Sequence, residues 1–194
     1  MRRIVLLALI AMLSINAYSQ KNKPVAKKPT TASGLAKVDN LVAEVKSGNF
    51  QVTINENGKP KDAMIVKAAD AKFAPSDCKL TSFTANGTKL YLLNWTEKTQ
   101  IKTALKTEDI TKVYQIIYEI ANKKQVFSNY QTTNHSKEIV FLDKAKDVSE
   151  TRQKIRVEGF EFALNPDGTV TQKNKTQLNK WVYDAAKMEF VIKK

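Results

Sequence analysis

The sequence predicts a mainly β protein with a minor helical part (α+β): an antiparallel meander of about eight to ten strands, with an N-terminal helix and a second short helix near 149–158. Three observations predict it. From residue 49 onward, apolar residues alternate with polar ones at a period of two, as in half-buried strands. Asn57-Gly58, Asn86-Gly87 and Asn165-Pro166-Asp167-Gly168 fall between such segments, where hairpins reverse direction. The 194 residues are 42% hydrophobic and 26% charged, which supplies a core and excludes a wholly disordered chain.

Residues 1–19 have the layout of a secretory signal peptide. Arg2 and Arg3 form a cationic start, Ile4 to Leu13 an unbroken apolar run, and Ala17-Tyr18-Ser19 a small-residue cleavage site. The apolar run is shorter than the roughly 20 residues that a spanning helix needs. No Cys follows it to carry a lipid, and no later segment is apolar enough to span a bilayer as a helix. The expectation is an exported chain, periplasmic or extracellular, that begins at Gln20. Loss of Arg2 and Arg3 takes Lys+Arg from 32 to 30 against 19 Asp+Glu, so the formal charge falls from +13 to +11.

Residues 20–33, QKNKPVAKKPTTAS, read as a basic Lys/Pro linker with little to bury. Residues 34–194 read as a single globular domain. It opens on the predicted helix over 34–46, where Leu35, Val38, Leu41, Val42 and Val45 recur at three- and four-residue steps between Ser33 and Gly48. Phe50, Val52 and Ile54 then mark one strand, Met64–Val66 a second and Leu80–Phe83 a third. The long apolar run Lys89–Trp95 predicts a central strand.

Residues 111–121 fit two readings. Ile110, Val113, Tyr114, Ile117 and Ile120 fit a helical face, whereas Tyr114, Ile116, Tyr118 and Ile120 alternate. The strand-like segments at 125–131 and 138–142, separated by polar turns, favour the strand. The second helix rests on Ser149 as N-cap, Glu150 in the first turn and Gly159 at the C-terminal end. Strands resume at Phe160–Leu164, Thr169–Thr171, Lys180–Tyr183 and Met188–Ile192.

The run F-x-F-x-L-N-P-D-G-T-V, followed by W-x-Y-D and a last apolar strand, resembles small secreted bacterial lipocalin-like proteins. The resemblance covers residues 160–194 and carries over no site residue. It implies a cavity that carries a small apolar ligand.

Candidate chemistry is sparse. His135, the only histidine, lies in the polar stretch Thr133-Asn134-His135-Ser136, predicted to be an exposed turn, and any imidazole catalysis would have to use it. Cys78 is the only cysteine, which excludes an internal disulfide and a multi-Cys metal site. Core usage favours its burial, while Asp77 and Lys79 beside it point towards the surface. Glu158 with Glu161, or Asp167 with Asp184, could pair for glycoside hydrolysis, but nothing in their spacing sets them apart. Phosphate-cradling and calcium-loop motifs are absent, and the four Asn-X-Ser/Thr matches read as chance. Trp95 and Trp181 sit in apolar strands and read as core.

The expected function is an exported, non-catalytic binding or interaction protein of the bacterial cell envelope. The alternative is a lipocalin-like carrier of a small apolar ligand. The reading includes no catalytic, cofactor-binding or metal-binding residue. The positive charge points to an envelope protein or an anionic polymer as partner, and nucleic acid is not expected outside the cytoplasm. Arg152 and Arg156 are the only arginines after the leader, so most of the charge reads as a solvated coat of lysine. An apolar cavity would favour the carrier. A filled core with one flat basic or aromatic face would favour the interaction protein.

Overall fold

The structure, a computed structural model, describes residues 34–143 and 148–193. The predicted leader and linker lie outside them. Among the described residues thirteen strands follow one another: β1 (Ala36–Val38), β2 (Leu41–Lys46), β3 (Asn49–Glu56), β4 (Lys59–Ala68), β5 (Ser76–Ala85), β6 (Thr88–Lys102), β7 (Lys106–Glu119), β8 (Lys124–Asp143), β9 (Val148–Gly159), β10 (Glu161–Leu164), β11 (Val170–Lys173), β12 (Leu178–Asp184) and β13 (Glu189–Ile192). Each pairs antiparallel with its chain neighbour inside three sheets, β1–β4, β5–β9 and β10–β13. The mainly β, antiparallel meander holds, with more strands than the expected eight to ten. Residues 111–121 lie chiefly in β7, which settles that ambiguity in favour of the strand.

Both predicted helices are corrected. Residues 34–46 form β1 and β2, joined by Asp39-Asn40, with Val38 opposite Leu41. The apolar spacing that mimicked a helical face comes from a hairpin. Leu41 and Ala43, two residues apart, enter the core, and Asp39 takes a φ of +50° that no helix tolerates. Residues 149–158 lie in β9, paired with β8 from Gln131↔Gly159 to Phe141↔Ser149. Ser149 caps nothing, and Gly159 ends β9 where the chain turns into β10. The polar stretch at 133–136 is also no turn. It lies in the middle of β8, a 20-residue strand hydrogen-bonded to β7 on one side and β9 on the other. The Asn-Gly hairpins form as expected, with Asn57 and Asn86 at φ of +52° and +47°, the sign that a two-residue type I′ turn demands.

The β5–β9 sheet carries a core on each face. Along β6, Tyr91, Leu93 and Trp95 point one way, into a cluster with Leu41, Phe50, Val52 and Met64 of the first sheet. Leu90 points the other way, into a cluster with Val170, Tyr183 and Phe190 of the last sheet. On β7, Tyr118 and Ile117 divide likewise. This is the period-two alternation of a strand with both faces covered, and it explains the nearly continuous apolar run 90–95. The first sheet reaches over from the β5 side, where β1 lies beside β5. The last sheet reaches over from the β8 side, where β10 and β13 lie beside β8.

Both cores stop at identifiable rows. On the first face, register aligns Trp95, Tyr114 and Tyr130. Trp95 stacks on Tyr114 at 4.7 Å, and Tyr130 is largely exposed. On the second face, Asn94, Gln115 and Asn129 align, and a chain of amide bonds crosses them. Trp181 Nε1 donates to Gln172 Oε1 (2.7 Å), Gln172 Nε2 to Asn129 Oδ1 (2.7 Å), and Asn129 Nδ2 to Gln115 Oε1 (2.8 Å) and the Phe160 carbonyl (3.0 Å). Gln172 and Asn129 are buried, so each satisfied amide avoids the cost of a stranded polar group, about 1–3 kcal/mol.

Candidate functional site

Beyond those rows the middle sheet continues without either covering layer. From Lys98 to Lys102, Lys106 to Lys112, Gln131 to Asp143 and Val148 to Gly159, no residue is buried. The β8 part of this extension spans about 40 Å at strand rise. Among the described residues thirteen large hydrophobics are exposed, and seven lie on this extension, among them Phe141, Leu142, Ile155 and Val157, with Leu105 in the turn between its β6 and β7 parts. Scattered exposed apolar residues are ordinary, but here they concentrate on one part of one sheet, and concentrations of that kind are where proteins commonly make contacts.

Register divides the extension into two unlike faces. The face continuous with the first core carries the cross-strand rows Ile110–Asn134–Arg156, Glu108–Ser136–Lys154 and Lys106–Glu138–Arg152. Charges interleave here. Lys106 pairs with Glu108 at 3.1 Å, Arg156 with Glu158 at 2.6 Å, and Arg152 with Glu150. Asn134 and Lys106 hold the Glu108 carboxyl below its usual range. The face continuous with the second core carries the rows Asp109–His135–Ile155 and Thr107–Lys137–Gln153, then Ile139 and Phe141. Asp109 accepts a hydrogen bond from Gln100 at 2.7 Å.

A depression of about 430 Å³ lies at the boundary of the first core, lined by Lys67, Asp70, Lys72, Phe73, Glu97 and Lys98. Both of its carboxylates accept hydrogen bonds, Asp70 from the Lys72 amide at 2.9 Å. Glu97 accepts from both Lys67 (3.0 Å) and Trp95 Nε1 (2.8 Å), and the Lys67 ammonium lies 4.9 Å from the Phe73 ring centre. Trp95 and Phe73 belong to the first core, so these contacts lie at its end.

The residues singled out from sequence do not converge. His135 projects from the face continuous with the second core and lines a shallow dent of about 230 Å³ with Asp109, Lys137 and Gln153. Cys78, on β5, packs against the first core, on the opposite face, so thiol and imidazole are not brought together. Asp167 instead accepts hydrogen bonds from the Thr169 amide (3.0 Å) and hydroxyl (2.6 Å), and Asp184 from the Ala186 amide (3.0 Å), so both serve turns. Glu158 pairs with Arg156. Trp95 is core, as expected, and Trp181 is half-buried at the edge of the second core. Among the described residues no three His, Cys, Asp or Glu gather where a metal ion could bind. The exposed extension itself escaped the sequence reading. Its signal was the period-two charge pattern Glu150, Arg152, Lys154, Arg156, Glu158.

Burial pushes the Cys78 thiol up to about 11. At pH 8 the native chain is therefore expected to react with an aromatic disulfide reagent about 100-fold more slowly than the urea-unfolded chain. Equal rates in the two states would show that the thiol is freely exposed.

Compared with protein-family models, with curated proteins and with solved structures, the chain matches none.

Proposed function

We propose that this chain is an exported, non-catalytic interaction protein of the bacterial cell envelope that makes its contacts through the uncovered part of the β5–β9 sheet. The observation that carries this reading is the extension itself, a sheet with ordered pairing and exposed apolar side chains on both faces. Each face offers about 600 Å², approaching the roughly 800 Å² that one partner contributes to a standard protein interface. The filling of the two cores favours contact over a carrier's cavity, with Leu41, Phe50, Leu90, Leu93 and Ile117 all 0% exposed. The leader pattern and the net charge of +13 support export and attraction to an acidic partner.

A photo-reactive residue placed at Phe141 or Ile155 tests the reading against the same residue at Ile65 or Leu178, which are exposed elsewhere. In envelope extracts the first pair is expected to capture a defined partner several-fold more strongly, and to keep it in about 0.5 M salt, where diffuse charge attraction is screened. Equal capture at all four positions, or turnover of a substrate that one side-chain replacement abolishes, would overturn it.

A further inference from the structure

We propose that β9 takes an extended acidic segment of another protein as an added strand along its free edge, an inference that rests on the interaction reading above. Among the described residues β9 ends the order β5-β6-β7-β8-β9, and no strand pairs with the other side of its backbone. It is twelve residues long, and all but Glu150 are exposed. It contains no proline, and its register with β8 is unbroken from Ser149 to Gly159. Edge strands of this length are normally blunted by proline, bulges or charge, because their free N–H and C=O groups recruit other strands. Here only charge is used, and its arrangement selects a partner.

Arg152, Lys154 and Arg156 alternate along one face of β9. The chain has four arginines, two of them at positions 2 and 3, and the other two are these. The planar guanidinium fork suits carboxylates better than lysine does. Both guanidiniums meet their own-strand glutamates through Nε, at exposed positions where such pairs contribute little and can be exchanged for an incoming carboxylate. An incoming strand with Asp or Glu at alternate positions would set a carboxylate against each cation. On its other face it would cover Ile155 and Val157, which are 64% and 50% exposed. This is strand addition, with backbone bonds supplying affinity and alternate side chains supplying specificity.

A second copy fits poorly. Antiparallel self-pairing centred on Lys154, over Ser149–Gly159, sets Lys154 against itself, Arg152 against Arg156 and Glu150 against Glu158, and like charges directly opposed are destabilising; the register that pairs all twelve residues sets Arg152 against Ile155 and Glu150 against Val157, so no charge meets its complement. The chain's own residues 20–33 carry four lysines and no acid, so they offer no complement either.

The test titrates the purified chain into a fluorescein-labelled peptide of alternating Glu and Val, followed by anisotropy in about 0.15 M salt. Saturable binding is expected, with slower amide exchange over 148–159. The double variant Arg152→Gln/Arg156→Gln should bind about ten-fold more weakly. A peptide with alternate amides N-methylated keeps every charge but cannot pair as a strand, and it should not bind the native chain. That arm needs no variant to fold. Undiminished binding of the methylated peptide, an unaffected double variant, or a complex that proves to be two copies joined at β9 would overturn the proposal. Failure here with selective crosslinking at Phe141 and Ile155 removes this inference alone. Uniform crosslinking removes the interaction reading itself.

Discussion

Replacing Trp95 with Ala is expected to cost about 3–5 kcal/mol of stability, the range for deleting a large buried aromatic. Trp95 is 1% exposed and lies between the first sheet and the middle sheet. Its ring meets Phe50 edge-on at 5.2 Å and stacks on Tyr114 at 4.7 Å, so removal opens a cavity that two aromatic neighbours cannot both fill. The indole N–H also holds Glu97 at 2.8 Å, and among the described residues its loss leaves the carboxylate with Lys67 as its side-chain partner. Urea unfolding should show a lower midpoint with an unchanged slope, the sign of lost stability without a change in the surface exposed. A cost under about 1 kcal/mol would mean that the first core does not close on this residue.

Gly168→Ala should destabilise the chain by about 3 kcal/mol or more, through a different mechanism. Gly168 has a φ of +77°, and a Cβ there would stand 2.3 Å from the Thr84 carbonyl oxygen and 2.8 Å from the Ala85 Cα. Both are backbone atoms of β5, so no side chain can swing aside. The β10–β11 turn would have to lift off the middle sheet, and with it the seating of Val170 in the second core. Gly58→Ala is the control. It has nearly the same φ, +75°, but nothing within 4 Å of the added carbon, so it carries only the left-handed penalty of about 1–2 kcal/mol. Equal melting temperatures for the two variants would refute the close approach at Gly168.

The two misread helices share a cause. Leu35, Val38, Leu41, Val42 and Val45 match a helical stripe on spacing, yet the chain folds back at Asp39-Asn40 and the stripe divides between two strands. At 149–158 the cap-like Ser149 and terminal Gly159 outweighed the alternation of Glu150, Arg152, Lys154, Arg156 and Glu158. Local signals of that kind are worth about 1 kcal/mol each, and pairing with β8 along the length of the strand overrides them. The stretch 133–136 is polar because it lies in an uncovered part of the sheet, and polarity alone cannot distinguish that from a turn. The proposed contact surface is hidden for the same reason: 138–142 reads as a strand, but 133–136 reads as a turn and 149–158 as a helix, so nothing in the sequence joins them into one sheet.

What the sequence determined by itself is local: the Asn-Gly reversals, the period-two strands, the centrality of residues 89–95 and so the β class. These follow from backbone sterics and side-chain alternation within a few residues. Tertiary structure alone decided which sheet covers which face of β6 and β7, and where that cover ends. Those depend on contacts between residues such as Phe50 and Trp95, or Leu90 and Val170, that lie tens of positions apart. No local preference encodes how far a strand will run beyond the layers packed against it.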